Sequence, residues 1–219
     1  MPRDASITFI VGRRGSGKTT QAELRLRRER RVVVFAPILG DYQRGFAQLR
    51  SLRGVKDHMR RNWQRGFRIA YRPPERLELV DVLDQLAELL RKVQRPYADG
   101  RAAQQLTLAV DEANLAFPPS RPGQSGQAFK WACLQGRHYG INIVAITQRP
   151  TLVDPSLRDN ADEWLVFPLG GDNALGVVLQ AVGRRHAEAI RALSNHHYLE
   201  FADGQVSAGL NPRISPVTE

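Results

Sequence analysis

The feature that most constrains this chain is a glycine-rich segment near its amino end. The eight residues GRRGSGKT, from Gly12 to Thr19, fit the pattern G-x-x-x-x-G-K-[ST] in full. An apolar run over residues 7–11 leads directly into them, and the motif requires such a strand before it and a helix after it. The glycines let consecutive backbone N–H groups point at one phosphate, and the dipole of the following helix adds positive potential. The sequence therefore predicts a nucleoside triphosphate site.

The residues of this loop have predicted roles. Lys18 is expected to reach the β- and γ-phosphates, and the hydroxyl of Thr19 to bind Mg²⁺. The backbone of the loop and of the first helical turn is expected to hold the remaining phosphate oxygens. The predicted nucleotide-binding residues are Gly12, Arg13, Arg14, Gly15, Ser16, Gly17, Lys18, Thr19 and Thr20.

Buried strands alternate with helices along the chain. This order predicts an α/β fold of the P-loop NTPase (RecA/ASCE-like) class, with a mostly parallel sheet and helices on both faces. The clearest strands are predicted at 7–11, 31–37, 106–110, 141–147 and 163–167. The helices between and after them are predicted at 18–28, 76–93, 126–138, 172–182 and 185–193.

The remaining segments have weaker patterns. Residues 67–71 alternate, which predicts a strand with one exposed face, and residues 43–65 are expected to be irregular with a short helix. An Asp-Gly turn within 197–210 predicts a β-hairpin, 95–100 a loop, and the residues after 210 a loose tail. We expect one domain over 1–219, with a core over about 5–170 and a C-terminal extension of helices and hairpin over about 171–212.

Polar residues follow two further core strands. Asp111 and Glu112 end the strand over 106–110, and Gln148 follows the strand over 141–147. Ligands of parallel sheets bind at the carboxyl ends of the strands, where Lys18 is also expected. Asp111 is predicted to act on Mg²⁺ with Thr19, and Glu112 to polarise the attacking water as a general base. Gln148 is predicted to contact the γ-phosphate or to position that water.

Positive charge is concentrated near the amino end. The chain has 32 basic and 22 acidic residues, and residues 1–76 hold 19 of the basic and 6 of the acidic ones. Such an excess predicts a polyanionic partner, nucleic acid first. The alternative is that the 28 arginines reflect a high-GC genome and are simply solvated.

The stretch from Gly136 to Pro150 narrows the choice among phosphate-loop proteins. It has Arg137 ahead of the strand over 141–147, and that strand ends in Thr-Gln followed by Arg-Pro. Together with the phosphate loop and Asp111-Glu112, this resembles the FtsK–HerA superfamily over roughly residues 5–170. The resemblance implies a ring-forming ATPase that pumps double-stranded DNA. The short chain most resembles the genome-packaging ATPases of membrane-containing icosahedral viruses.

The resemblance also implies cofactors, partners and further residues. ATP and Mg²⁺ are expected, with double-stranded DNA as partner, a hexameric or pentameric ring of this chain, and a capsid or membrane vertex protein for docking. Arg137 is the expected arginine that reaches into a neighbour's site and contributes to catalysis there, with Arg149 and Arg158 as alternatives. Residues 43–65, or loops such as 117–125, are expected to line the pore.

Other functions stay open at the level of the sequence. One is a phage assembly or export ATPase that moves protein subunits, and another is a chromosomal or plasmid DNA pump of the same superfamily. A small-molecule kinase is disfavoured because Asp111, Glu112 and Gln148 favour water as the acceptor. A GTPase is disfavoured because the chain has no Asn-Lys-x-Asp segment.

The expected location follows from segments that the sequence does not contain. No apolar stretch approaches the roughly 20 residues that span a bilayer, and no signal-peptide core precedes the first strand. Cys133 is the single cysteine, which excludes an internal disulfide. These features predict a reducing compartment without export, and the resemblance to viral packaging ATPases implies the host cytoplasm or the packaging vertex of a virion.

Overall fold

Nine strands form one sheet in the computed structural model, which describes residues 5–38, 42–119 and 126–211. Their order across the sheet is β3-β4-β2-β5-β6-β1-β7-β8-β9. The strands from β3 to β7 are parallel, whereas β8 is antiparallel to both of its neighbours. The strands are β1 Ile7–Val11, β2 Arg31–Phe35, β3 Ala47–Leu49, β4 Phe67–Tyr71, β5 Leu106–Val110, β6 Ile141–Thr147, β7 Glu163–Val166, β8 His197–Ala202 and β9 Gln205–Leu210.

Helices connect these strands and cover both faces of the sheet, as predicted. They are α1 Lys18–Leu26, α2 Leu52–Asn62, α3 Leu79–Val93, α4 Arg95–Ala98, α5 Ala113–Ala116, α6 Gln127–Gln135, α7 Pro155–Arg158, α8 Asp172–Val182 and α9 Ala187–Arg191. Short 3-10 turns follow α6 and precede α7 and α9. Within the described ranges, no helix is both long enough and apolar enough to cross a bilayer.

The sheet separates two hydrophobic cores because successive strand side chains point to opposite faces. Phe9, Val33 and Leu108 face the larger core, where they pack with side chains of α2, α3, α6 and α8. Ile10 and Val34 face the smaller core, which α1 covers together with residues 42–46. Because both faces are covered, the central strands are buried along their whole length and are mostly apolar.

The order of the central strands brings the predicted site residues to one edge. β6 lies between β1 and β5, with Val11 beside Thr147 and Val110 beside Ala145. All three strands run in the same direction. The residues that follow them, namely the phosphate loop, Gln148 and Asp111, therefore share the carboxyl edge of the sheet.

The segment before α3 differs most from the prediction. β4 was expected to expose one face, but four of its five residues are buried, because α2 packs on one face of the strand and residues 42–46 share a core with the other. The expected irregular region contains β3 and the 11-residue α2. The side-chain oxygen of Ser51 accepts the Gly54 N–H at 3.1 Å and caps α2, which places two of its apolar side chains in the core.

The other boundaries differ less. The predicted loop over 95–100 contains α4, and the predicted helix over 185–193 is a 3-10 turn followed by α9. The helix over 172–182 and the hairpin are found where the sequence predicts them. The predicted tail after Asn211, and residues 120–125 of the loop over 117–125, lie outside the described residues.

Candidate nucleotide-binding site

The phosphate loop is fastened to the neighbouring strand ends through its backbone. The Gly12 N–H donates to the Thr147 carbonyl at 3.4 Å, and the Arg13 N–H donates to the Pro168 carbonyl at 2.7 Å. The Ser16 N–H closes the turn by donating to the Arg13 carbonyl at 3.3 Å. The loop thus has a defined shape between the end of β1 and the first turn of α1.

Three glycines allow this shape for different reasons. Gly15 and Gly17 have φ values of 74° and 101°, in the left-handed region that glycine adopts without steric cost. At Gly12 the constraint is space, since a Cβ would lie 2.5 Å from that of Phe167. A Cβ at Gly15 would meet no described atom within 4 Å. The loop is therefore closely packed at Gly12 and has open space beside Gly15, as a phosphate-binding loop requires.

Lys18 lies in the first turn of α1 and is 7% exposed. Its Nζ donates to the Arg13 carbonyl at 2.8 Å, so the ammonium bends back over the loop. Burial lowers the pKa of Lys18, and the nearby Glu112 and Asp111 carboxylates partly oppose this shift. The structure thus brings together one cation and two carboxylates that the sequence separates by more than 90 residues.

Asp111 and Glu112 differ in their backbone. Asp111 is buried at the end of β5, and its Oδ1 accepts the Glu112 N–H at 3.0 Å. Glu112 has φ 50° and ψ 53°, a left-handed conformation that costs a non-glycine residue about 1–3 kcal/mol. Such strain is typical of functional sites, where the surrounding structure imposes it. The sequence does not signal this conformation, because no glycine or asparagine stands there.

Gln148 contacts Glu112 directly. Its Nε2 donates to the Glu112 Oε1 across the carboxyl ends of β6 and β5. Thr147 is held in turn, since its Oγ1 donates to the Asn114 Oδ1 at 2.7 Å and accepts the Arg149 N–H at 3.0 Å. Asn114 is a supporting residue that the sequence analysis did not identify. The amide and the carboxylate predicted to handle water are therefore already paired.

A cavity of about 540 Å³ lies beside the phosphate loop. Arg13, Arg14, Gln148 and Arg149 line it together with residues 170–174. Of the three arginines considered for action on a neighbour's site, Arg149 therefore lies next to this chain's own loop.

Arg137 and Arg158 lie elsewhere. Arg137 precedes β6 and lines a cavity of about 250 Å³ at the amino edge of the sheet, with Asp162. Arg158 precedes β7 and lines a cavity of about 420 Å³ that also includes Asp162. The seven residues of β6 span roughly 23 Å, so Arg137 is remote from Gln148 in the same chain.

The C-terminal hairpin also contributes to the surroundings of the loop, which the sequence analysis did not anticipate. The His196 N–H donates to the Ser16 carbonyl at 3.1 Å, and the Asn211 Nδ2 donates to the Gly17 carbonyl at 2.7 Å. Nothing in the local pattern links residues so far apart in the chain.

The residues present fit a magnesium ion together with triphosphate oxygens. Thr19 is the second residue of α1, and Asp111 directly follows β5, two strands away from β1. A hydroxyl and a carboxylate are oxygen ligands of the kind that Mg²⁺ prefers, and this ion usually keeps several waters and phosphate oxygens. In the described ranges there is no group of three or more His, Cys, Asp or Glu residues that could hold a metal.

Comparisons with known proteins support the same fold. No protein-family profile and no curated protein matches the sequence. Among solved structures, the genome packaging NTPase B204 from Sulfolobus turreted icosahedral virus 2, in complex with AMPPCP, superposes with a TM-score of 0.74 at 18% identity, over 96% of this chain and 99% of that chain. B204 in complex with ATP-gammaS gives a TM-score of 0.72 at 18% identity, over 93% and 96% of the two chains.

A larger protein has the same core. The pCW3 conjugation coupling protein TcpA superposes with a TM-score of 0.60 at 12% identity, over 95% of this chain and 60% of that one. The likenesses show that this chain has the P-loop NTPase fold. This is the fold that the resemblance to FtsK–HerA proteins found in the sequence implies.

Proposed function

We propose that this protein is a Mg²⁺-dependent ATPase that translocates double-stranded DNA and packages a viral genome into a procapsid. The observation that carries the proposal is the contact between Gln148 and Glu112 at the carboxyl edge that also holds Lys18. A carboxylate and an amide placed together beside the phosphate cradle suit the activation and orientation of a water molecule. Such an arrangement favours hydrolysis over transfer to a bulky acceptor.

The residues of the site have distinct proposed roles in ATP hydrolysis. Backbone N–H groups of the loop over residues 12–19 bind phosphate oxygens, and Lys18 exchanges its bond to the Arg13 carbonyl for the β- and γ-phosphates. Glu112 accepts a proton from water, and Gln148 orients that water. Thr19 and Asp111 would hold Mg²⁺, which when bound neutralises charge on the β- and γ-phosphate oxygens.

The DNA part of the proposal rests on charge and on the fold neighbours. Exposed basic side chains of α2, namely Arg53, Lys56 and Arg60, line a groove of about 1100 Å³ with Arg91 and Lys92 of α3. Asp57, Asp84 and Glu88 also line it, but cations outnumber carboxylates. A surface of this kind suits sequence-independent contact with phosphates. One fold neighbour is named as a DNA-packaging ATPase, which supports the same assignment.

Assembly into a ring of five or six copies completes the proposal. Arg137 is exposed at the amino edge of the sheet, whereas the phosphate loop of the same chain lies at the carboxyl edge. An arginine in that place is suited to act on the nucleotide of an adjacent copy, where it would neutralise charge on the transferred phosphoryl group. Docking at a capsid or membrane vertex would place the ring in the host cytoplasm or at the virion.

A second candidate is a plasmid DNA pump of the same architecture. The likeness to a conjugation coupling protein favours it, since nearly the whole chain superposes on the core of that protein. Both candidates require DNA-stimulated hydrolysis, and they differ in whether a procapsid is the acceptor. Packaging of DNA into isolated procapsids would distinguish them.

The test is ATP hydrolysis with and without double-stranded DNA, in the wild type and in Glu112→Gln. The variant keeps an oxygen that accepts from Gln148 but cannot take a proton, so we expect nucleotide binding without turnover. We expect DNA to stimulate the wild type, and the stimulation to fall steeply with salt. Hydrolysis that is indifferent to DNA at low salt would favour an ATPase that moves protein subunits. Unchanged hydrolysis in Glu112→Gln would refute the assigned base.

A further inference from the structure

The two ends of the β8–β9 hairpin lie against the phosphate loop. His196 immediately precedes β8, and Asn211 immediately follows β9. They are joined to each other, because the Asn211 N–H donates to the His196 carbonyl at 2.9 Å. We call these two residues, with Asn195, the hairpin base. A side-chain hydrogen bond also joins the loop to this base, since the Arg13 guanidinium donates to the Asn195 Oδ1 at 2.7 Å.

The hairpin base donates hydrogen bonds to two consecutive backbone carbonyls of the phosphate loop. The His196 N–H donates to the Ser16 carbonyl, and the Asn211 Nδ2 donates to the Gly17 carbonyl. In a planar trans peptide, the carbonyl of one residue and the N–H of the next point in opposite directions. Holding these carbonyls toward the hairpin therefore turns the N–H groups of Gly17 and Lys18 away from it.

Those two N–H groups are among the donors that a phosphate loop presents to its ligand. Their direction depends on peptide planes next to Gly17, which has a φ of 101° and no side chain to restrain it. Glycine loses more backbone freedom on ordering than any other residue. The Gly17 carbonyl also accepts the Gln21 N–H of α1 at 3.0 Å, so Asn211 is its second partner, whereas His196 holds the Ser16 carbonyl.

The contact between Asn211 and the Gly17 carbonyl is made by a side chain that is unfavourable to bury. It is 3% exposed, and within the described ranges its Oδ1 has no hydrogen-bond partner. An unsatisfied buried acceptor destabilises the folded chain, so an apolar side chain of similar size would favour folding more. The space is also tight, since a Cβ on Gly17 would collide with the Asn211 amide. The bond from Nδ2 to the Gly17 carbonyl is the feature that an apolar residue would not replace.

We propose that Asn211 is a positioning residue for the nucleotide, which together with the backbone of His196 presets the Gly17 and Lys18 N–H groups for phosphate binding. The proposal rests on the proposed nucleotide binding and deepens it. It makes the C-terminal hairpin a part of the phosphate site, although the hairpin lies outside the region that resembles the FtsK–HerA core. The hairpin base acts on affinity for the triphosphate, whereas Glu112 and Gln148 act on its hydrolysis.

The test compares Asn211→Leu with Tyr198→Phe in the full chain. The leucine has nearly the same size but lacks the donor and adds no charge. The control loses only the hydroxyl that accepts from the Gln21 Nε2 at 3.1 Å, in the same hairpin. We measure the Kd for AMPPCP, the KM and kcat for ATP, and the thermal midpoint without nucleotide.

We expect Asn211→Leu to raise the Kd and the KM about tenfold, the worth of one well-placed hydrogen bond. Its kcat should stay within about twofold and its thermal midpoint should not fall, because an unsatisfied buried acceptor is removed. Tyr198→Phe should bind like the wild type. AMPPCP binding by Asn211→Leu within twofold of the wild type, or an equal loss in Tyr198→Phe, would overturn the proposal.

A measurement on the unmodified protein covers the case in which Asn211→Leu does not fold. By linkage, AMPPCP should slow hydrogen exchange at two backbone amides: that of His196, which donates to the Ser16 carbonyl of the loop, and that of Asn211, which closes the hairpin base by donating to the His196 carbonyl. We expect at least tenfold slowing, and unchanged exchange with AMPPCP bound would overturn the proposal. If the wild type does not bind AMPPCP at all, the nucleotide-binding function itself fails, which is a distinct result.

Discussion

Lys18 and the basic side chains of α2 have like charge but opposite surroundings. Lys18 is 7% exposed and donates to the Arg13 carbonyl, with two carboxylates close enough to affect its pKa. On α2, the side chain of Arg53 is 94% exposed, and its contact with Asp57 is 4.0 Å long. Lys56 and Arg60 are exposed in the same way.

The difference separates two ways in which charge acts in this molecule. A buried ammonium has lost most of its hydration, so its position and its partners determine what it does. An exposed arginine keeps its water and contributes to the field of the whole surface, which salt screens. Removing the first kind of charge should abolish a function in one step, whereas removing the second kind should weaken a function in proportion to the number removed.

The largest expected effect is that of Lys18→Met. Methionine retains the apolar stem that packs in the first turn of α1 but removes the ammonium. We expect no measurable ATP hydrolysis and severely weakened binding of AMPPCP, with the fold retained in circular dichroism. The matched control is Lys56→Met, which removes a lysine of the same chemistry from the exposed face of α2. If both variants bind AMPPCP alike without DNA, the contrast between buried and exposed cations is wrong.

Arg137 is an intermediate case between the buried Lys18 and the exposed cations of α2. It is exposed in one chain, and we propose that it lies at the interface between two chains. We expect Arg137→Ala to lower kcat about 10³-fold or more, as for other arginines supplied in trans, while leaving AMPPCP binding intact. Arg184→Ala, another exposed arginine, should have little effect.

Mixing variants tests whether Arg137 acts on a neighbour. Arg137→Ala lacks the arginine but has Lys18, and Lys18→Met has the arginine but lacks the lysine. In a mixed ring, some interfaces would combine an intact Lys18 with an intact Arg137, so partial ATPase activity should return. Two inactive variants that stay inactive together, while size-exclusion chromatography shows that they co-assemble, would mean that Arg137 does not act in trans.

The sequence predicts the central part of the molecule well because the physical signals there are local. β1, β5 and β6 are buried on both faces and therefore appear as mostly apolar runs. Parallel strands share a carboxyl edge, so residues that follow them are brought together without any knowledge of loop geometry. This is why the expected proximity of Lys18, Asp111 and Glu112 is found.

The parts that the sequence did not predict depend on contacts between distant segments. β3 has only three residues, and the second face of β4 is buried by Tyr42 and Phe46, which come from a segment with no regular pattern. The left-handed backbone of Glu112 and the contact of Asn211 with Gly17 follow from tertiary packing. Neither has a periodic pattern or a turn residue that would reveal it.

The smallest expected effect per residue belongs to the exposed charges of α2. We expect the triple variant Arg53→Gln, Lys56→Gln, Arg60→Gln to keep its DNA-independent ATPase rate and to bind double-stranded DNA more weakly. The logarithm of DNA affinity should depend less steeply on the logarithm of salt concentration, by up to about 3 for three lost phosphate contacts, since each contributes roughly 0.9. Fluorescence anisotropy of labelled duplex DNA at several salt concentrations measures this slope.

The control must remove the same charge from another place. Arg184, Arg185 and Arg191 are exposed near α9, which is far from α2 in the chain, and their triple glutamine variant lowers the net charge equally. If DNA contacts are made at α2, only the first triple variant should change the salt slope. Equal changes in both would mean that DNA responds to net charge alone, as it would if the excess arginines were simply solvated. Each single substitution on α2 should have about one third of the effect of the triple variant, because exposed charges that do not share partners act nearly independently.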